Sequence, residues 1–207
     1  MYTIGMETFI IDTNFFINQQ RPTGLGSTKE DVVRSFVERY TPLVASRVVQ
    51  FLSTPESFRE IVAFFDDEQT VSKNLQSVIS IQSPSLTTLS LSATLFHELV
   101  GEINKRLYKG MRVTEEIIKE IVKTSELPEQ AEEVYVKKLR SQYRQATREG
   151  FLDSIIDLGL ILLARETQGY VVSSDKGLLA WARKFGCKEL FPEHMLTKLD
   201  PYLSKTK

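Results

Sequence analysis

Apolar positions along the chain switch between strand-like runs and a helical period. Thr8–Asp12 (TFIID) is β-branched and aromatic until it ends on a carboxylate, which predicts a short buried strand. Tyr170–Asp175 (YVVSSD) has the same design. Ser46–Ser53 predicts a third strand, followed by a helix with Pro55 near its first turn, and Ser77–Gln82 (SVISIQ) predicts a fourth. Between these runs the period lengthens. Val33, Phe36, Val37 and Tyr40 mark one helix, and Ser92–Met111 a long amphipathic one ending near Gly110. Phe151–Gln168 is apolar nearly all round, which predicts a buried helix ended by Gly169; Lys176–Gly186 predicts a helix closed by its own glycine. Strands alternate with helices at both ends of the chain, so the expected fold is α/β with a mostly parallel sheet.

The section after Met111 differs in texture, crowded with Glu, Lys and Arg and almost free of glycine. It splits at Ser125–Gln130 (SELPEQ), where Pro128 suits the first turn of a second helix. Apolar residues recur every four positions on the first arm (Val113, Ile117, Ile121). On the second they recur at three and four (Val136, Leu139, Tyr143, Ala146). Two narrow stripes predict an antiparallel helical hairpin. Residues 112–148 are thus expected as an insert in a domain formed by 1–111 and 149–207. The hairpin either packs against another copy of the chain or folds back on its own domain, and periodicity alone leaves both open.

Composition narrows the chemistry. The 207 residues suffice for one core of ordinary size, and 42% hydrophobic with 26% charged residues fits a soluble protein. A net charge of −1 means that any nucleic-acid site must come from local clustering. Cys187 is the single cysteine, which excludes an internal disulfide and a cysteine-rich zinc site. His97 and His194 are the only histidines, too few for a histidine-based metal site. The sequence shows neither a signal peptide nor an 18-residue uncharged stretch, so a cytoplasmic location with no membrane partner is expected.

The carboxylates carry the most information. In an open parallel sheet, ligands bind at the carboxyl ends of the strands. Asp12 and Asp175 should therefore share an edge, on neighbouring strands about 5 Å apart. Asp153 and Asp157 are four apart; on a helix they would share a face, with Cβ atoms about 5–6 Å apart. Uncompensated buried carboxylates are costly, and each raises the pKa of the next. A divalent cation resolves the conflict. Oxygen-rich, histidine-poor sets suit Mg²⁺ or Mn²⁺, which serve phosphodiester cleavage. Each residue also has a plainer use: Asp12, Asp153 and Asp175 as helix N-caps, and Asp157 as a solvated acid in a first turn. Their joint occurrence favours the metal site. Glu60 and Glu98 read as surface residues of amphipathic helices, with contact to the carboxylates that hold the metal as the lesser alternative.

The basic side is equally local. Lys137, Arg140, Arg144 and Arg148 follow at three and four on the second arm, opposite its apolar stripe. They make a cationic face about 16 Å long, enough to follow several phosphates. Lys138 widens it, with Arg106 and Lys109 as possible additions. The plainer reading is a solvated face, since Glu132, Glu133 and Glu149 flank it.

Four segments carry a family likeness: FIIDTNFFIN, LSATLFHELVGEINKRLYKGMRV, LRSQYRQATREGFLDSIIDLGLILLARE and YVVSSDKGLLAWARKFG. On these the chain resembles the PIN-domain nucleases, and within them the minimal protein-only RNase P family known as HARP. The resemblance implies a PIN-like α/β/α sandwich with an inserted two-helix spike. It implies removal of the 5′ leader of precursor tRNA without an RNA subunit, using Mg²⁺ or Mn²⁺, with the family's catalytic aspartates falling on Asp12, Asp153, Asp157 and Asp175. It also implies a homo-oligomer built through the spike, whose basic face helps grip the tRNA. Two positions depart from the family pattern: Gly159 and Lys176 stand where members carry acidic residues, which leaves the number of bound metals open.

Three rivals are weighed. A PIN ribonuclease acting on another RNA would not need the charged insert. A phosphatase with an aspartyl nucleophile wants a second aspartate two residues after the first, where this chain has Asn14. A binding or scaffold homologue with a weakened site accords with Gly159 and Lys176.

Overall fold

The computed structural model describes residues 6–17, 24–124, 131–148, 151–152 and 154–204. In chain order the elements are β1 (Glu7–Ile11), α1 (Asn14–Ile17), α2 (Lys29–Ala45), β2 (Val49–Ser53), α3 (Pro55–Ala63), α4 (Glu68–Gln76) and β3 (Ile79–Ile81). Then follow α5 (Ala93–Lys123), α6 (Ala131–Arg148), α7 (Ile155–Thr167), β4 (Tyr170–Val172), α8 (Lys176–Lys184), β5 (Lys188–Leu190) and α9 (Pro192–Leu203). They form two compact units, Ser90–Asp153 on the one hand and the remainder of the chain on the other.

In the larger unit five strands pair in parallel in the order β3-β2-β1-β4-β5. The expected parallel sheet is there, and its order reverses direction between β1 and β4. Strand alternation sorts the buried residues. Phe9 and Ile11 of β1 join Phe51 of β2 and residues of α1, α2, α4 and α9 in one cluster, whereas Ile10, equally buried, lies outside it. On that side α7 packs on β1 and β4, and α8 on β4 and β5. Helices thus cover both faces, as a parallel sheet with apolar strands requires. An aromatic layer knits the first cluster: the Phe36 ring lies 5.0 Å from Phe51, 5.1 Å from Tyr40 and 5.3 Å from Phe15 and Phe16.

The smaller unit holds the antiparallel pair α5 and α6, with Thr124 near Tyr135 at one end and Arg106 bonded to Thr147 at the other. Contrary to expectation, α5 does not stop near Gly110 but runs through it to Lys123. The glycine serves helix contact: an ideal Cβ there would lie 2.5 Å from Tyr143 Cε2 and 2.9 Å from Thr147 Cγ2. The predicted turn around Pro128 lies outside the described residues.

Other differences are instructive. Strand β5 (KEL) has no apolar run to announce it, and it pairs with β4 alone. Helix α7 begins at Ile155 after an extended N-cap, Ser154; the expected Asp153–Asp157 pair involves Asp153, which lies outside the described residues. At its other end Gln168 takes the left-handed conformation (φ 54°) that Gly169 was expected to take. Gly169 is needed for space: a Cβ there would meet Thr8 O at 2.9 Å and Ile10 Cδ1 at 2.6 Å. No helix among the described residues is long and apolar enough to cross a membrane.

These two neighbours make opposite predictions. Gln168→Gly relieves a left-handed side chain and should raise the melting temperature by about 1–3 °C. Gly169→Ala forces the strand away and should lower stability by about 1–3 kcal/mol. Thermal melts of the two variants check both signs.

Candidate active site

The order of strand connection reverses where β1 meets β4, and a crevice outside the carboxyl ends of the strands is expected at such a point. The buried polar and charged residues among those described are Asp12, Thr13, Ser53, Thr54, Ser57, Ser173 and Ser174. Every one follows or ends β1, β2 or β4, or lies in the first turn of α3. Burying polar groups is costly unless they are satisfied, and these seven fall on one edge.

Asp12 stands at its centre, 3% exposed. Its backbone N–H donates to Val172 O (3.2 Å), which continues the β1–β4 ladder one residue past the strand. Its Oδ2 accepts from Ser173 Oγ (2.6 Å) and from Asn14 Nδ2 (3.0 Å). Burial outweighs these bonds and those of the Thr13 and Asn14 backbones, and holds the carboxyl above the ordinary aspartate range. Ser173 also accepts from the Asp175 backbone N–H (2.9 Å), so one hydroxyl ties the two predicted aspartates together. Asp175 itself caps α8, its Oδ1 accepting from the backbone N–H groups of Gly177 (2.5 Å) and Leu178 (3.1 Å). The plainer capping role is therefore real for Asp175, and its exposure leaves the carboxylate open to solvent as well.

Thr13 extends the site towards α3. Its hydroxyl donates to Glu60 Oε2 (2.9 Å) and lies 3.4 Å from Ser57 Oγ. Glu60, read from sequence as a surface acid, thus borders the aspartate edge. Asp157 lies half-buried in the first turn of α7, which packs on β1 and α3. Asp153 lies outside the described residues; the cap of α7 is Ser154, whose hydroxyl accepts from Ile156 N–H at 3.1 Å. Sequence reasoning missed Ser173, Thr13 and Glu60. Ser173 had a signal, being on the pleat between Val172 and Asp175; Glu60 had none that set it apart from Glu56.

The donors at this edge are all oxygens, as a hard divalent cation requires. Two features fit such an ion: the raised Asp12 carboxyl and the Ser174 hydroxyl, buried with no partner among the described residues. Those residues bring no three His, Cys, Asp or Glu side chains into one cluster. Asp12, Asp157 and Asp175 are therefore not gathered into one metal-binding set among the described residues.

On the smaller unit, Lys137, Arg140, Arg144 and Arg148 are exposed along α6. Lys138 is bound to Glu120 of α5, 2.5 and 2.6 Å from its two oxygens, which joins the arms of the hairpin. Arg106 does not extend the cationic face. It donates to Thr147 O (3.1 Å), sits 3.5 Å from Glu102 and lies 4.6 Å over the Phe151 ring. Glu98 is exposed on α5.

A family model described as PINc domain ribonuclease matches residues 8–204. Relatives named "RNA-free ribonuclease P" include one from Pyrococcus horikoshii, 35% identical over 88% of this chain and 86% of its own. Another from Thermodesulfovibrio yellowstonii is 33% identical over 89% of each. A third, from Ignicoccus hospitalis, is 31% identical over 98% of each.

The Asp12 environment sets a sign. A folded state that raises this pKa holds the proton more tightly than the unfolded chain. Without a cation, the contribution of Asp12 to stability is therefore fully present below the ordinary aspartate range and is lost as pH rises through the folded value. Asp12→Asn should raise the melting temperature of metal-free protein by a few degrees near neutrality and leave it unchanged in acid. Mg²⁺ should stabilise the wild type and not the variant. Calorimetric melts in chelator and in Mg²⁺, at both pH values, check this.

Proposed function

The chain belongs to the PINc domain ribonuclease family, and on that premise we propose that it is an RNA-free ribonuclease P that hydrolyses precursor tRNA at the 5′ leader. The observation that carries this reading is the gathering of buried polar side chains, Asp12, Thr13 and Ser173 among them, at one strand edge. The leader would leave with a 3′-hydroxyl and the tRNA would keep a 5′-phosphate. A divalent cation, Mg²⁺ or Mn²⁺, would activate water and stabilise the leaving oxygen.

The residues of the chain prepare that site. Asp12 presents a carboxylate that burial makes costly to leave uncompensated. Ser173 fixes its orientation while holding the Asp175 backbone. Asp157, Asp153 and Asp175 complete the acidic set in this reading, and Glu60 orients Thr13 at its border. Asn14 donates to Asp12, so the position where an aspartyl phosphatase needs its acid supplies an amide that restrains the carboxylate instead. On α6 the exposed Lys137, Arg140, Arg144 and Arg148 follow the phosphates of the RNA, with Lys138 linking the hairpin behind them.

The same hairpin supports an oligomer. On α5, Phe96, Val100, Ile103, Leu107 and Met111 recur at three and four and are 39–62% exposed. That stripe, about 22 Å long, is a helix seam with no partner among the described residues; a second copy of the chain is its occupant in this reading. Precursor tRNA as substrate accords with action in the cytoplasm.

Incubating purified protein with precursor tRNA and Mg²⁺ tests the assignment. Wild type should release the leader, chelator should stop it, and Asp12→Ala should reduce it to background. Ser173→Ala should raise the Mg²⁺ needed for half-maximal rate by about 10–100-fold. Leader release that survives Asp12→Ala would overturn the assignment. Separately, Leu107→Glu should lower the mass in solution by light scattering; an unchanged mass would overturn the proposed seam.

A further inference from the structure

The second arm of the hairpin holds a groove of about 420 Å³ lined by Thr114, Leu139, Arg140, Tyr143, Arg144 and Arg148. Its volume falls in the range of ordinary small-ligand sites, about 300–1,000 Å³. Three guanidinium groups around one phenol ring are unlike the rest of the helix surface. Neither Arg140 nor Arg144 makes an ion pair among the described residues, in contrast to Lys138, which Glu120 neutralises.

The ring is also fixed in place. Its Cε2–Cζ edge sits so near Gly110 that a Cβ there would come within 2.5 Å of Cε2 and 2.9 Å of Cζ. Tyr143 nonetheless keeps 40% of its surface exposed. A ring clamped at one edge and open on the groove side is a flat apolar surface with little conformational freedom left to lose. Leu139 and Ala146 on the same stripe of α6 are half-buried, whereas Tyr143 stays exposed.

We propose that Tyr143, seated on Gly110, is a stacking platform for one unpaired nucleobase of the RNA substrate, with Arg140, Arg144 and Arg148 binding the phosphates beside it. The inference rests on the reading of α6 as an RNA-contacting face and adds what that face selects. Arginines alone follow a backbone and do not distinguish paired from unpaired RNA. A base inside an A-form stack hides both its faces, so an aromatic ring engages only a base already splayed from a loop, bulge or end. The groove would therefore favour RNA whose looped-out base lies within reach of its phosphates. Gly110 becomes a positioning residue for the platform.

The test uses full-length protein with three RNAs: precursor tRNA, a hairpin with an unpaired loop, and a blunt duplex of the same length. Tyr143→Phe should behave as wild type. Tyr143→Leu, which keeps an apolar filler beside Gly110, should weaken hairpin binding about tenfold and raise KM for precursor tRNA with kcat unchanged. Its duplex affinity should not move. Gly110→Ala should shift hairpin binding in the same direction. Arg144→Ala should weaken all three RNAs alike. If Tyr143→Leu leaves hairpin affinity unchanged while Arg144→Ala lowers it, the platform is wrong and the RNA face stands. If neither changes binding, the RNA-face reading fails and takes the platform with it. Tyr143→Trp supplies a readout independent of affinity: its added fluorescence should be quenched by the hairpin and not by the duplex, and equal quenching by both would overturn the proposal.

Discussion

Everything at the catalytic edge follows from holding one carboxylate, Asp12, out of water at the seam between β1 and β4. The carboxyl end of a parallel strand is where side chains leave the sheet, and the sheet order places the β1 and β4 ends side by side. A carboxylate placed there meets low dielectric from the sheet and from the helices that cover it. Hydrogen bonds from Ser173 and Asn14 soften the penalty without removing it. The residual cost is one that a bound cation would offset. On the opposite side of the sheet the layer of Phe15, Phe36, Tyr40 and Phe51 holds the strands in place.

Sequence and structure divide the credit along physical lines. Asp12 and Asp175 were legible because a charge that closes an apolar run marks where a buried strand emerges, and a parallel sheet sends both ends to one edge. Ser173 and Glu60 were not, because their importance lies in a partner distant in the chain, Asp12 in one case and Thr13 in the other. Where α7 begins was not legible either: the apolar run from Phe151 suggested an earlier start, whereas the helix starts at Ile155 behind a serine cap. Glycines misled in the same way. Gly110 and Gly169 look like helix stops, and both are instead places where a neighbouring segment comes too close for a Cβ. A sequence shows that side chains are absent; it does not show whether backbone conformation or a neighbour demanded it.

The helical unit illustrates the complementary point. Helix α6 has no buried residue, and α5 buries only Leu95, Gly110 and Ile117. Helices gain most of their stability from packing an apolar face, so a pair this lightly buried is held mainly by its mutual seam and by links such as Lys138–Glu120. Its remaining surface divides into an apolar stripe on α5 and a cationic one on α6. That division gives a single hairpin two surfaces of opposite chemistry, one suited to another protein and the other to a polyanion.

Gly159 ties these themes to the chemistry. The family likeness sets an acid at this position, and a Cβ there would meet only Thr54 Cγ2 at 3.5 Å, an ordinary contact. Packing does not enforce the glycine, so its presence is a statement about charge. One carboxylate fewer near Asp157 lowers the mutual repulsion that a bound cation must otherwise offset. It also removes an oxygen from the set that would hold a second ion. Lys176, on the first turn of α8 beside Asp175, moves the local balance the same way. A crevice with fewer negative charges needs less countercharge to be stable.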